Sequence, residues 1–235
     1  MDAQPLVQVD LNVTGFQPPE AESLLDRAWA EREEDAYPAL FGDLGPGIYP
    51  LDASLFAETF GQTAVDPRWL HYGVFRGAPG GGRRHWTFVT SGLSNPWEAD
   101  EPEERSGLGH EFILEAAVGP DWLLQRVQHV LAFQILLAHG RYPGRAPIAP
   151  YDRLPLRGSL DPAGGSELTY LMACPPAEPR RSLRLVSGVF ELYSLVGITE
   201  AEAAFARVEG GDRLEELLRG AGAFPVIDPG RPSVL

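Results

Sequence analysis

The 235-residue sequence contains no lysine; all 19 of its basic side chains are arginines. That excludes chemistry that depends on an ammonium group. A Walker A loop, the strand lysine of a kinase, a pyridoxal phosphate Schiff base and a Ser-x-x-Lys hydrolase all need one. Cysteine is almost absent as well. Cys174 stands alone, so neither an intrachain disulfide nor a cysteine zinc site can form. No run of about 18 apolar residues occurs, and MDAQPLVQVDLNV offers no basic region ahead of an apolar one. The expectation is a soluble, cytoplasmic protein with no membrane contact.

Positive charge is scarce overall, with 33 acids against 19 bases giving a net −14. A generic nucleic-acid binder needs a basic surface to neutralise phosphates, so that class is excluded. An acidic surface steers toward basic partners instead. The 44% hydrophobic and 22% charged residues are ordinary globular values, which excludes a disordered tail or a coiled coil. The 26 glycines and 22 prolines favour short elements and many turns over a helical bundle. Complete use of Arg for Lys, with much Ala, Gly and Pro, fits a GC-rich bacterial genome.

Alternation of Val7, Val9, Leu11 and Val13 with polar residues predicts a strand extension in residues 1–19. A domain then runs over 20–235. Leu24, Leu25, Ala28 and Trp29 predict a helix over 20–34. Residues 69–75 and 85–91 read as a hairpin whose tip is RGAPGGGRR. A strand is predicted at 110–118. A broad apolar helix follows over 121–139, opened by Pro120 and closed by Gly140. Further strands are expected near 167–173, 182–187, 189–196 and 224–227. Thr199 with Glu202 and Asp212 with Glu215 have capping-box spacing, with Gly220 past the end of the second helix. Strands and helices mix without a regular βαβ beat, so the fold class is α+β, a mostly antiparallel sheet with a long buried helix. Residues 85–91, 110–118 and 182–196 should share that sheet.

Three ordered motifs carry a family resemblance. HWTFVTSGLSNPW at 85–97 and SGLGHEF at 106–112 precede the long helix, and SGVFELYSLVGITEAE at 187–202 follows it. Together with the ending VIDPGRPSVL, they resemble the suppressor of fused domain family over roughly residues 20–235. Trp86, Gly92, Ser94 and Glu111 are the motif positions, and His110 stands where the family has an aromatic residue. The resemblance implies a non-enzymatic protein-binding domain without a cofactor. In animals a two-domain member clamps a short extended peptide, and the chain resembles only its N-terminal domain. Bacterial single-domain members are linked to toxin systems as immunity proteins. That implies a protein partner here, with a basic toxin domain suited to the acidity.

The chemistry-bearing residues read mostly as structure. Adjacent strand residues point to opposite faces, so His110 and Glu111 cannot act on one atom, and a structural Glu111 is expected. His129 and His139 lie ten apart on one helix, which is not ligand spacing. His71 and His85 are candidate strand partners. No metal ligand set and no catalytic residue is assigned. Gly-Leu-Ser-Asn-Pro lacks the second glycine of a nucleophile elbow, so Ser94 is expected to cap a turn. Cys174 is expected to be a small apolar filler. The candidate partner surface is Trp97 with Glu98, Asp100, Glu101, Glu103 and Glu104, supported by the Gly-rich tip at 77–84. In the animal relative, the corresponding connection lies near the peptide groove. Two alternatives stand beside it: a regulatory adaptor capturing an extended peptide on a sheet edge, and a hydrolase using the scattered His and Glu, which a tight cluster of His with carboxylates in a pocket would support.

Overall fold

The computed structural model describes residues 22–176 and 181–235, and the strand expected at 6–13 lies outside them. The first helix begins at Ser23, whose hydroxyl accepts from the Asp26 N–H while the Asp26 carboxylate accepts from the Ser23 N–H. Helix α1 (Leu24–Ala30) widens into a π-helical stretch (Glu31–Ala36) and resumes as α2 (Tyr37–Phe41). The helix therefore starts later and runs further than the periodicity predicts. Leu24, Ala28 and Arg32 fall at i, i+4 and i+8 on its inner face, and all three are buried, as is Tyr37.

Nine strands among the described residues form one sheet: β1 (Ile48–Pro50), β2 (Gly73–Gly77), β3 (Trp86–Ser91), β4 (Arg105–Ala116), β5 (Arg153–Pro155), β6 (Leu168–Cys174), β7 (Ser182–Leu185), β8 (Gly188–Thr199) and β9 (Val226–Ile227). The main path is β1-β2-β3-β4-β8-β6-β5, with β7 on β8 and β9 on β4. The segments expected to share a sheet do so, and most pairs are antiparallel. The two exceptions both involve β4, which runs parallel to the short β9 and to its central neighbour β8. β4 and β8 run parallel, with Arg105 opposite Val189 and Ile113 opposite Ser194. Parallel neighbours need a long crossover, and α3 (Asp121–Ala138) with the strands after it supplies one.

The sheet is covered on both faces. α3 crosses β2, β3 and β4. Its Leu123, Val127, Leu131 and Ile135 pack with Phe88, Phe112, Leu114 and Leu195. On the other face, Val89, Ile113, Phe190 and Leu192 meet Ala28 and Tyr37. Further along that face, Val196 and Ile198 meet α4 (Glu200–Glu209) and α5 (Gly211–Gly220). Phe190, Leu192, Val196 and Ile198 alternate with Tyr193 and Leu195 along β8, so one strand feeds both cores. Cys174 is buried among the third cluster, where burial pushes its thiol pKa up, as expected of a filler.

Local punctuation departs from the sequence expectation in four places. Trp69 belongs to a tight 3₁₀ turn (Pro67–His71), not a strand. The Asp66 carboxylate caps that turn by accepting from the Arg68 N–H at 2.9 Å, and Pro67 fixes its first φ. The hairpin strand therefore starts only at Gly73. Thr199 and Glu202 do form the capping box, but Asp212 does not cap α5. A single residue, Gly210 at φ 102°, joins α4 to α5, so the helix begins before Asp212 and places it inside the first turn. Gly220 is the last helical residue, and Gly222 takes the left-handed conformation after it. His71 and His85 are not partners. Gly73 pairs with Ser91 and Gly77 with Thr87, so the two histidines lie at opposite ends of the hairpin.

Candidate functional site

The motif residues converge on the turn after β3. Glu111 is fully buried on β4. Its carboxylate accepts from the Gly92 N–H at 2.9 Å, the Ser94 N–H at 2.9 Å, the Ser94 hydroxyl at 2.8 Å and the Thr90 hydroxyl at 2.6 Å. A buried carboxylate needs such partners, since burial alone disfavours its charge. Arg32, fully buried on the π-helical stretch, reaches the same turn from the other side. Its Nε donates to the Ser91 hydroxyl at 2.9 Å. Its Nη1 donates to the Ser94 hydroxyl at 3.1 Å and to Asn95 Oδ1 at 2.7 Å. Ser94 thus accepts from the guanidinium and donates to the carboxylate. It bridges two opposite buried charges and is no nucleophile. Gly92, at φ 131°, lies under the Tyr72 ring, where a Cβ would come within 2.5 Å of ring carbon.

Trp86 stands apart. It lies at the far end of β3, with the Arg76 guanidinium 4.9 Å above its ring and Gly119 against its face. The Gly-rich tip sits at that same end. Arg83 there is spent on the Phe41, Asp43 and Ala78 carbonyls. Because β3 separates the tip from the 97–104 loop, the tip cannot support a surface there, which corrects the expectation.

The turn leads into a cleft of about 240 Å³. Trp69, Tyr72, Leu93, Leu108 and Ile135 give it apolar walls, and Trp97, Glu98 and Glu103 stand on its rim. Trp97 is half-buried rather than fully exposed, and it stacks on Tyr72 with ring centres 6.2 Å apart. The Tyr72 hydroxyl is near its indole N–H without hydrogen-bond geometry. Trp69 is buried and its indole N–H also lacks a partner. A buried donor left unpaired costs about 1–3 kcal/mol. Glu98, Asp100, Glu101, Glu103 and Glu104 are all exposed. Glu98 pairs with Arg68, and the remaining acids have no Arg partner among the described residues.

The loop is fixed at its base. The Glu103 N–H donates to the Ser187 carbonyl at 3.0 Å, and the Val189 N–H donates to the Glu104 carbonyl at 3.1 Å. Ser106 donates to the Ser94 carbonyl at 2.6 Å, and Leu108 N–H to the Leu93 carbonyl at 2.7 Å. Gly107, at φ 55°, passes so close that a Cβ would lie 2.5 Å from the Leu93 oxygen.

His110 occupies the core beneath this loop. It stacks on Tyr193 at 4.8 Å and meets Gln134 at 3.0 Å, while Gln134 accepts from the Ile148 N–H at 2.7 Å. Burial, with a smaller contribution from Arg105, lowers its pKa to about 4. An unfolded histidine titrates near 6.5, so the unfolded chain takes up the proton first as pH falls. The stability this neutral histidine supports is complete above about pH 6.5 and is lost on the way down to pH 4. Between pH 7 and 4.5, a His110→Phe variant should lose about 2–3 kcal/mol less stability than the parent. Urea unfolding at both pH values checks this; equal losses would contradict it.

The histidines do not form a catalytic group. His139 Nδ1 faces the Ile135 carbonyl and its ring meets Trp69, His129 meets Thr59, and His71 lies against Trp97. Among the described residues no carboxylate bonds a histidine and no cluster of three His, Cys, Asp or Glu is placed to hold a metal. None of the described helices is long and apolar enough to cross a membrane.

Sequence reasoning missed Arg32, Trp69, Tyr72, Leu108 and His139 as parts of this region. The helical spacing from Leu24 through Ala28 contained the signal for Arg32, but the charged run EREED hid it.

Residues 68–232 match the suppressor of fused protein family. The fold is similar to the Drosophila Suppressor of Fused crystal structure, with a TM-score of 0.54 and 20% identity over 69% of this chain. The match covers 42% of the Drosophila chain, so the present chain spans less than half of it. A chain in a Sufu–Fu complex matches with a TM-score of 0.61 and 18% identity, covering 91% of this chain and 93% of that one. A suppressor of fused homolog from Neisseria gonorrhoeae matches with a TM-score of 0.52 and 17% identity, over 70% of this chain and 78% of the homolog. No curated protein matches.

Proposed function

Because the chain belongs to the suppressor of fused family, we propose that it is a non-enzymatic, cytoplasmic protein-binding domain, an immunity protein that neutralises a basic toxin. The observation that carries this reading is the cleft beside Trp97, rimmed by exposed acids and braced from below by the Arg32–Ser94–Glu111 network. A fixed acidic rim around apolar walls suits a basic protein surface. The charges speed encounter and the aromatic anchor holds the complex. The Sufu–Fu complex supports the general mode, since a relative of the same fold is seen with a protein partner.

Strand addition at the outer sheet edges fits less well. The strands that end the main path, β1 and β5, are three residues long and end in proline, at Pro50 and Pro155. Short, proline-bearing edges resist pairing with another strand.

Trp97→Ala is expected to weaken partner binding by about 2 kcal/mol or more, the cost of losing an interface anchor. A Glu101/Glu103/Glu104→Gln variant should mainly slow association and flatten its salt dependence. Co-expression with the product of the neighbouring reading frame provides the test. The parent should restore growth, and the two variants should restore it less. Equal rescue by all three, with Trp97→Ala folding normally, would refute the assignment of this surface.

A further inference from the structure

The cleft beside Trp97 also has the make-up of a small-molecule site, a reading that goes beyond the partner and does not require one. Its volume is about 240 Å³. Drug-sized ligands occupy about 300–1,000 Å³, so the fit is to something smaller, one or two fused rings. Trp69, Leu93, Leu108 and Ile135 wall the space. Two polar side chains that line it are almost completely buried and keep an unspent donor. Asn95 and Tyr72 are each 4% exposed. Asn95 Oδ1 accepts from Arg32 at 2.7 Å, and because a guanidinium only donates, this fixes the amide with its NH₂ group turned away. That group has no acceptor among the described residues. The Tyr72 hydroxyl lies near the Trp97 indole N–H, which donates and never accepts, so the hydroxyl proton is unspent too. Burial raises the Tyr72 pKa, which keeps the phenol protonated. Neither atom is sealed off by protein, and the cleft is the space that both residues line.

His139, which lines the same cleft, supplies the opposite function. Its Nδ1 faces the Ile135 carbonyl at 2.9 Å. A carbonyl only accepts, so the proton of the neutral ring sits on Nδ1 and Nε2 is left to accept. The ligand therefore needs a carbonyl-type acceptor for Asn95 and Tyr72 and an N–H for His139. Charge narrows it further. Glu98 and Glu103 on the rim repel an anion. A cation has no lone pair to offer the two donors, and Arg68 lines the same space. We propose that the cleft is a binding site for a small, uncharged, flat cyclic amide. Its carbonyl edge accepts from the Asn95 amide and the Tyr72 hydroxyl, its ring N–H donates to His139 Nε2, and its ring face lies on the apolar walls.

The test is nuclear magnetic resonance of the parent protein labelled with ¹⁵N, in which the Asn95 NH₂ pair is observed directly. The probe is 2-quinolone, a two-ring cyclic amide. Its controls are quinoline, which has the rings without the carbonyl, and quinoline-2-carboxylate, which adds a negative charge. Saturable binding of 2-quinolone is expected below about 1 mM, with a shift of the Asn95 pair. Quinoline should bind about fivefold or more weakly and leave that pair still. The carboxylate should bind more weakly again. Tyr72→Phe keeps the ring and deletes the hydroxyl, so it should weaken 2-quinolone about fivefold. The comparison of ligands on the parent protein stands whether or not that variant folds. Four outcomes overturn the proposal. Without saturable 2-quinolone binding there is no such site. Equal binding of quinoline means that the cleft is merely apolar, and tighter binding of the carboxylate means that it reads an anion. Binding of 2-quinolone with the Asn95 pair unmoved places the ligand elsewhere. None of these outcomes bears on the immunity reading, which the co-expression result judges.

Discussion

Glu111→Ala is expected to remove about 3–5 kcal/mol of folding stability, the range for breaking a buried charge network from one side. The carboxylate holds two backbone N–H groups and two hydroxyls. Its loss leaves those donors unpaired in the core and removes the negative charge across Ser94 from Arg32, which keeps its ion pair with Glu33 at 3.2 Å. For a chain of this size, that corresponds to a fall of about 10 °C in Tm. Glu111→Gln should cost less, because one oxygen can still accept from Gly92 and Ser94. Pairing Glu111→Ala with Arg32→Met should cost less than the sum of the two, since both act on the turn through Ser94. Urea unfolding of the three variants and the pair measures this. A Glu111→Ala protein as stable as the parent, or strict additivity in the pair, would show that the network does not brace the turn.

The second large effect is expected at the C-terminal end. Arg231 grips Glu202 with both guanidinium arms, each at 2.7 Å, and the Glu202 side chain is completely buried. The Thr199 and Val234 N–H groups donate to the same carboxylate at 2.8 Å. Burial on its own pushes the Glu202 pKa up, but the Arg231 fork and the backbone donors outweigh it and hold it below the usual carboxylate range. Arg231→Ala should therefore cost about 3–5 kcal/mol at pH 7. In that variant burial wins, and the carboxyl takes up a proton more readily folded than unfolded. A group with a raised folded pKa favours folding at low pH, so the gap to the parent should narrow between pH 7 and 5. A gap below about 1 kcal/mol at pH 7, or one that is flat with pH, would contradict this.

The parts of the fold that were legible in the sequence are those set by period. α3 announced itself through Leu124, Val127, Leu131 and Ile135, and the strands through alternation, because burial on one face is what produces those patterns. Thr199 and Glu202 were legible because a capping box is local chemistry. The parallel pairing of β4 with β8 was not, since register and direction depend on residues far apart in the chain. The site was half legible. Ser94 reads from the sequence as a turn residue and Glu111 as a structural carboxylate, each by itself, and the bond that joins them is not legible there; the acids of the 97–104 loop are exposed. Trp97 was expected to be exposed and is half-buried, because Tyr72 arrives beneath it from the preceding strand's approach. Arg32 was obscured because charge predicts exposure, and its burial is made tolerable by the neighbouring Glu33 together with a partner network from β3 and its turn.

The parallel β4–β8 pair has a consequence for how the chain acquires this shape. During synthesis, β4 emerges long before β8 and β9, the two strands that pair along its far edge. Until Gly188–Thr199 leaves the ribosome, β4 presents unpaired backbone groups beside a hairpin that can already form locally. Non-local pairings of this kind close slowly, because the intervening chain must be ordered first. The nascent protein therefore passes through a stage with an open, apolar strand, when aggregation competes with folding. Shortening the chain ahead of β8 should yield insoluble product rather than a smaller folded domain.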